Sequence, residues 1–152
     1  MYWFRKAQMT DSYIIKAVSI IFLKYYKYVY GLEISYKTSI GKGLYLGHAR
    51  NITINPNAII GEYCNIHKGC VIGQENRGPR KGVPYIGDKV WIGINAAIVG
   101  GISIGNDVLI APNSYVNINV PSHSVVFGNP CIIKHKENAT ESYINIADQT
   151  GF

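Results

Sequence analysis

The chain has 152 residues, with 15 lysines and arginines against nine aspartates and glutamates, and a pI near 9.2. This length is sufficient for one domain with its own hydrophobic core. The basic balance favours an anionic ligand, a phosphate-bearing cofactor or an acidic membrane surface. No DNA- or RNA-binding motif is visible, so a nucleic-acid partner is not expected.

Residues 1–31 are predicted to form a helical segment, which a residue at positions 10–12 can cap and Gly31 can end. Apolar side chains recur on one face at helical spacing: Ile14, Val18, Ile21, Tyr25 and Val29. Lysines lie roughly opposite this face. The pattern predicts a helix that packs on the open end of the next domain or on a neighbouring subunit. The alternative is a basic interfacial helix that docks residues 1–30 on a membrane.

A repeat of six residues dominates the second half of the chain. An aliphatic residue occupies every sixth position from Ile86 to Val116: Ile86, Ile92, Ile98, Ile104, Ile110 and Val116. A period of six fits neither an α-helix nor an alternating strand, and it is typical of hexapeptide repeats that wind into an all-β solenoid. Three rungs form one coil, and coils stack at the strand spacing of about 4.8 Å.

The same period extends upstream with two interruptions. Two extra residues lie between Leu46 and Ile54, and two more lie between Ile72 and Ile86. The solenoid is therefore predicted to span residues 32–133, with a charged protruding loop at 74–85. From Pro121 the period fails, and residues 134–152 are predicted to form a tail that covers the last coil.

The spacing also predicts a functional corner. With three rungs to a coil, Ile54 lies over Ile34, and the same offset brings Glu33, His48 and His67 to one corner of the solenoid. A histidine beside a carboxylate is a common general base for activating a hydroxyl. We therefore expect His48 to be the base and Glu33 to orient it. His67 is either a substrate contact or a tolerated surface residue.

Cysteine and histidine usage argues against redox and metal chemistry. Cys64 and Cys70 occupy inward rung positions and are expected to be buried thiols. The absence of a CxxC pair or an even-numbered framework fits a reducing compartment, so a cytoplasmic location is predicted, with a peripheral contact on the inner membrane face as a further possibility. A histidine-bound metal needs a third ligand, and only two histidines converge.

Four stretches resemble the serine acetyltransferase family of hexapeptide transferases: residues 40–49, 59–62, 83–88 and 120–130. The resemblance implies a left-handed parallel β-helix, a homotrimer or a dimer of trimers, and acetyl-CoA bound between neighbouring subunits. His48 matches the family's catalytic histidine, and Glu33 matches the aspartate that orients it. Gly73 and Gln74 match a glycine pair whose backbone helps to hold the thioester.

Further contacts with the cofactor and the acceptor are also expected. Five residues are expected to contact acetyl-CoA: Gly73, Gln74, Gly93, Ala111 and Lys134. Three are candidates for contacting the acceptor: His67, Tyr45 and Tyr85. No metal is expected in the reaction.

Two departures from the family pattern concern the acceptor. The aspartate that precedes the catalytic histidine and contacts the amino acid is Gly47 here, and the arginine–histidine pair that grips the serine carboxylate is Gly82-Val83. A neutral sugar needs neither charge, so these departures predict a saccharide acceptor of capsule, exopolysaccharide or O-antigen type. Serine is the alternative acceptor. A non-catalytic hexapeptide scaffold and a membrane-docked module are alternatives from other classes.

Overall fold

The structure, a computed structural model, describes residues 1–145. Two helices come first, α1 (Tyr2–Met9) and α2 (Tyr13–Tyr30). Ser12 is the N-cap of α2, and Gly31 ends it in the left-handed region with a φ of 67°. Both ends agree with the sequence prediction, because Gly31 adopts a conformation that has little steric cost only for glycine.

Fifteen strands follow within the described residues. The first two coils contain β1 (Leu32–Ile34), β2 (Ser39–Ile40), β3 (Tyr45–Gly47), β4 (Ile52–Ile54), β5 (Ile59–Ile60) and β6 (Asn65–His67). The next two contain β7 (Val71–Gly73), β8 (Tyr85–Ile86), β9 (Trp91–Ile92), β10 (Ala97–Val99), β11 (Ser103–Ile104) and β12 (Val108–Ile110). The last strands are β13 (Tyr115–Val116), β14 (Ser124–Phe127) and β15 (Ile132–His135).

The strands form three sheets, each running along one side of the coil. The first sheet has the order β1-β4-β7-β10-β13, and the second has the order β11-β8-β5-β2. The third runs β15-β14-β12-β9-β6-β3, and every pairing in it except that of β15 is parallel. The fold is a left-handed parallel β-helix of about five turns, which confirms the predicted fold class.

The repeat positions form three columns of aliphatic side chains inside the solenoid. Ile34 pairs with Ile54 and Leu46 with Ile66, which are the predicted registers. One column consists of Leu46, Ile66, Ile92, Ile110 and Val126, and all of these except Leu46 are fully buried. Burial of an aliphatic side chain of this size contributes about 1.5–3 kcal/mol, so these columns provide much of the stabilising free energy.

One corner of the solenoid is made of stacked glycines: Gly41, Gly61, Gly87 and Gly105. A Cβ on Gly61 would lie 2.6 Å from the carbonyl carbon of Gly87 in the next coil. Real Cβ atoms do not approach backbone this closely, so the corner has no room for a side chain. The glycines after the rung aliphatics are therefore required by the spacing between coils.

The solenoid continues beyond the point where the six-residue period fails, within the predicted span of residues 32–133. The period does fail at Pro121, but β14 pairs in parallel with β12, and Val126 lies over Ile110. The chain then reverses, and β15 covers the edge of β14 in antiparallel pairing. The predicted boundary between residues 133 and 134 falls inside β15. Residues 146–152 of the predicted tail lie outside the described residues.

The helices cover the lower end of the solenoid with a different face from the predicted one. Phe4 of α1 is buried in the core, and Arg5 donates hydrogen bonds to the carbonyl oxygens of Ile40, at 2.6 Å, and Gly41. Helix α2 packs on its inner side through Ser19, which is fully buried, and Leu23, which contacts the core of the solenoid. The small side chain of Ser19 permits α2 to approach its neighbouring elements closely. The apolar face predicted to pack on the solenoid or on a neighbouring subunit points away from the solenoid, so only packing on a neighbour stays a prediction. Neither helix within residues 1–145 has the length and apolar character needed to cross a bilayer.

Candidate active site

His48 lies at the corner between β3 and β4, where the sequence has two extra residues. The backbone turns sharply here, and His48 and Asn51 both have a φ of 52°. This left-handed conformation is uncommon for residues other than glycine. The His48 side chain is exposed. The interruption in the repeat thus presents an imidazole to solvent, as a general base requires.

His67 occupies the space beside Gly47, its register partner on β3. A Cβ on Gly47 would lie 2.4 Å from Nδ1 of His67, so a side chain at position 47 would collide with the imidazole. The His67 ring lies 4.7 Å from the Trp91 ring and 6.4 Å from the Tyr45 ring, measured between centroids. Burial, and then the charge of nearby His48, lowers the pKa of His67. His67 is therefore neutral at pH 7.

Glu33 lies on β1 and forms an ion pair with a lysine of α2. Its Oε2 is 3.4 Å from Nζ of Lys27. Glu33 also lines a cavity of about 410 Å³ between α2 and the first sheet. The polar lining includes Lys24, Lys27, Thr53 and Asn55, and Gly73 lies at its edge. The role of Glu33 in orienting His48 stays a prediction, because the ion pair in this structure is with Lys27.

Several predicted site residues form a line along the edge that contains His48. Because Ile66, Ile92 and Ile110 are in register, the residues that follow them are stacked: His67, Gly93 and Ala111. Lys134 reaches the same edge further up, with Nζ 5.7 Å from the centroid of the Phe127 ring. Gly93 also has a structural reason to be glycine, since its Cβ would lie 2.6 Å from the nitrogen of Pro112.

The remaining predicted residues lie elsewhere on the same chain. Gly73 is the last residue of β7 and Gln74 follows it, at the edge where the first sheet ends. Tyr85 is exposed on β8 in the second sheet, in register with Ile59. One chain therefore does not bring Gly73, Gln74 and Tyr85 together with His48.

The loop after Gln74 is closed by backbone pairing. The N–H of Glu75 donates to the carbonyl of Gly82 at 3.0 Å, and the N–H of Gly82 donates back at 2.9 Å. Arg77, Arg80 and Lys81 are exposed between these two residues. The loop thus presents three cations on a closed backbone frame.

The buried cysteines are not suited to nucleophilic catalysis. Burial raises the pKa of Cys64 to about 12 and that of Cys70 to about 11. Both thiols are therefore protonated at neutral pH, and the thiolate is the reactive form. Within residues 1–145, no three side chains of the His, Cys, Asp and Glu types converge as a metal site.

Two aromatic residues near His67 were missed from the sequence. Trp91 is the register partner of Asn65, so the six-residue spacing contained a signal for it. Tyr143 comes from the tail and contacts Trp91, with ring centroids 5.2 Å apart. Its carbonyl accepts a hydrogen bond from Nδ2 of Asn65 at 3.1 Å. No periodic signal identifies Tyr143, because it follows the end of the repeat.

Asp107 fastens this tail to the solenoid. Its carboxylate accepts hydrogen bonds from the N–H of Ala139 and the N–H and hydroxyl of Thr140, at 2.7–2.9 Å. Nδ1 of His123 lies 2.9 Å from the same carboxylate. Burial opposes ionisation, but these hydrogen bonds together hold the pKa of Asp107 below its usual range. His123 is therefore part of the contacts that hold the tail.

Comparisons with known proteins show similarity to the same family that the sequence motifs resemble. Residues 84–117 match the bacterial transferase hexapeptide repeat (six repeats). Serine acetyltransferase 4 of Arabidopsis thaliana is 37% identical over 102 residues, which cover 67% of this chain and 29% of that protein. Serine acetyltransferase of Staphylococcus aureus is 37% identical over 100 residues, which cover 66% of this chain and 47% of that protein.

Solved structures agree with these matches. Neisseria gonorrhoeae serine acetyltransferase in complex with serine is 33% identical, with a TM-score of 0.68 over 78% of this chain and 48% of that chain. The Brucella abortus serine acetyltransferase is 26% identical, with a TM-score of 0.75 over 91% of this chain and 56% of that chain. The predicted resemblance is confirmed. The chain spans about a third to a half of the length of the curated relatives it matches.

The prediction of a saccharide acceptor is wrong. The relatives and structural neighbours are serine acetyltransferases, which favours the serine alternative. The prediction compared charged residues position by position and treated Gly47 as an empty place. The structure shows His67 in the space beside Gly47, so a residue one coil away has changed the surroundings of that position. A missing side chain at one position therefore does not reveal the acceptor.

Proposed function

We propose that this chain catalyses transfer of the acetyl group of acetyl-CoA to the hydroxyl of serine. The observation that carries the proposal is the line of His48, His67, Gly93 and Ala111 along one edge of a hexapeptide solenoid. The similarity to serine acetyltransferases supports the choice of reaction.

In the proposed reaction His48 is the general base. Its imidazole accepts the proton of the serine hydroxyl as the oxygen attacks the thioester carbon, and the C–S bond then breaks. The CoA thiolate leaves and takes the proton back from the imidazolium, so the base is regenerated. Glu33 would favour the imidazolium by its charge if it turns from Lys27 toward His48. Backbone N–H groups near Gly73 and Gln74 would stabilise the oxyanion.

The residues along the His48 edge suit a long anionic substrate such as acetyl-CoA. Gly93 and Ala111 leave this part of the edge without bulky side chains. Lys134 provides a cation at its upper end, where phosphate groups would be held by charge. Transfer is direct in this proposal, because the thiols of the two buried cysteines are protonated and therefore poor nucleophiles.

Serine would also require a partner for its carboxylate. The cations of the 74–85 loop are the candidates: Arg77, Arg80 and Lys81. Arginine binds a carboxylate through two parallel hydrogen bonds, so Arg77 and Arg80 are favoured over Lys81. We assign the carboxylate to this loop.

The placement of the site residues supports a shared site between copies of the chain. His48 and Gly73 lie on different edges of one solenoid, so a reaction that uses both needs a second copy to supply one of them. A homotrimer satisfies this requirement, because each copy then offers its His48 edge to one neighbour and its Gly73 edge to the other. Pairing of two trimers is a further step of assembly that the edges do not require.

The predicted cytoplasmic location rests on the three free cysteines, of which two are buried. The predicted contact of residues 1–30 with a membrane surface is a separate proposal, since acetyl transfer does not require it.

The test is release of CoA from acetyl-CoA in the presence of L-serine. We expect serine-dependent release, and His48→Ala should lower kcat/KM by about a hundredfold or more, the usual contribution of a general base. Glu33→Gln should have a smaller effect, because it alters orientation rather than removing the base. His135→Ala is the matched control, since His135 is exposed on β15. No release with serine, or equal activity of His48→Ala and wild type, would refute the proposal.

A further inference from the structure

Helix α2 has an apolar face that is exposed along its whole length. Exposure of these side chains ranges from 37% for Phe22 to 92% for Tyr28. The face consists of Tyr13, Ile14, Ile15, Val18, Ile21, Phe22, Tyr25, Tyr28 and Val29. At 3.6 residues per turn, these positions cover about half of the helix circumference. An exposed apolar surface of this extent marks an interaction site.

The orientation of α2 is fixed by contacts on its other side. Ser19 is fully buried, and Leu23 packs against the core of the solenoid. At one margin of the apolar face, Phe22 also stacks on Trp3 of α1, with ring centroids 4.2 Å apart. The helix therefore cannot rotate its apolar face onto the solenoid without losing these contacts.

The helical segment that carries this face is basic, although Arg5 and Lys27 contact the solenoid, through the carbonyls of Ile40 and Gly41 and the carboxylate of Glu33. Residues 1–31 contain five basic residues, Arg5, Lys6, Lys16, Lys24 and Lys27, and one acidic residue, Asp11. The rest of the chain is nearly balanced, with ten basic and eight acidic residues. Lys24 lies on the helix surface between Tyr13 and Tyr28, at the margin of the apolar face. Lysine and tyrosine margins are typical of helices that lie at the headgroup level of a bilayer.

We propose that α2 docks this protein on a membrane surface that contains anionic lipids. The apolar face enters the boundary between headgroups and acyl chains, and Lys6 and Lys24 lie among the headgroup phosphates. The helix lies in the plane of the surface rather than across the bilayer, in agreement with its length and charge. This inference goes beyond the acetyl transfer proposed above and does not depend on it.

Charge favours the bilayer over a two-fold contact between the α2 faces of two copies. In a two-fold contact between two α2 faces, each basic margin would lie next to its own equivalent. Like charges at an interface oppose association. The exposed apolar residues of the solenoid offer narrower patches, since Ile59 and Val71 lie on separate strands.

The experiment is co-sedimentation of the full chain with vesicles of phosphatidylcholine, with and without phosphatidylglycerol. We expect binding to the anionic vesicles that weakens with salt, and little binding to the neutral ones. The double variant Ile14→Asp, Ile21→Asp should bind about tenfold or more weakly, because it places two charges in the apolar region. Lys6→Glu with Lys24→Glu should remove the preference for anionic lipid.

Matched controls come from the opposite end of the solenoid. Ile132 is 54% exposed on β15, so Ile132→Asp adds an acid at a comparably exposed isoleucine. Lys136→Glu is the control for the charge reversals. Both controls should bind vesicles as wild type does. His48→Ala should also bind normally, which separates docking from acetyl transfer.

Three results would overturn the proposal. One is absence of wild-type binding to anionic vesicles at low salt. Another is equal weakening by Ile132→Asp and by the α2 double variant. The third combines two observations: the Ile14→Asp, Ile21→Asp variant forms a smaller assembly by light scattering, and the wild-type chain does not bind vesicles. That result would assign the face to a second copy. If the isoleucine variant does not fold, the lysine reversals still decide the question.

Discussion

The solenoid and helix α2 are both rich in isoleucine, but they place it in opposite environments. Ile92 in the middle of the solenoid is fully buried, whereas Ile21 in the middle of α2 is 64% exposed. In the solenoid every sixth residue must point inward, because the coil closes around it. In α2 the buried stripe is narrow and centres on Ser19, so most apolar residues remain outside. Apolar character therefore identifies the core only where the backbone closes around it.

The largest effect of this difference is expected at Ile92. Ile92→Ala removes buried methyl groups from a closed column and should lower the free energy of unfolding by about 2–5 kcal/mol. The measurement is denaturant unfolding at a fixed protein concentration, because assembly contributes to stability. A loss smaller than about 1 kcal/mol would mean that the coils relax around the cavity.

An intermediate effect is expected from the titration of His67 on the third sheet. Its pKa in the folded chain lies below the ordinary value of 6.5, so the unfolded chain binds more protons between these two values. The free energy of unfolding is therefore unaffected by His67 above about pH 6.5, and it decreases as the pH falls from there toward the folded pKa of His67. The pH dependence corresponds to the uptake of at most one proton on unfolding. Asp107 has a separate window, because its lowered pKa matters only below about its ordinary value of 3.8.

The pH effect can be measured by urea unfolding at a series of pH values from 7.5 to 5, on the order of six points. His67→Gln should flatten the dependence in this range, and His135→Gln should leave it unchanged. An unchanged slope in His67→Gln would show that another group is responsible.

The smallest effect is expected at Ile21. In the absence of membranes, Ile21→Ala should change the free energy of unfolding by no more than about 0.5 kcal/mol, as is usual for surface positions. Denaturant unfolding under the conditions used for Ile92→Ala provides the direct comparison. A loss similar to that of Ile92→Ala would show that a second copy of the chain buries the α2 face in solution.

Much of the solenoid could be predicted because one period determines both burial and register. The spacing alone placed Ile54 over Ile34 and His67 near the corner of His48. The structure pairs Ile34 with Ile54, and it pairs His67 with Gly47, the residue before His48. The register of β14 could not be predicted, since Pro121 interrupts the spacing while the backbone returns to the same sheet. Periodicity identifies rungs, but it cannot identify a strand that follows an irregular corner.

The site was predictable to the extent that it follows the same period. The exposed corner position of His48 and its proximity to His67 came from spacing. The ion pair of Glu33 with Lys27 did not, because the orientation of α2 depends on side-chain packing around Ser19 and Leu23. The acceptor could not be predicted from Gly47 alone, because its surroundings depend on a histidine twenty residues later in the chain.

The reversed direction of β15 limits growth along the solenoid axis. Parallel coils present a repeating edge that could accept a further coil from another molecule and so extend into a filament. An antiparallel strand on β14 interrupts that repeat, and the helices occupy the lower end. At both ends of the solenoid, the terminal element therefore cannot pair with a further parallel coil. Copies of this chain can therefore associate side by side, while end-to-end polymerisation is disfavoured by the architecture itself.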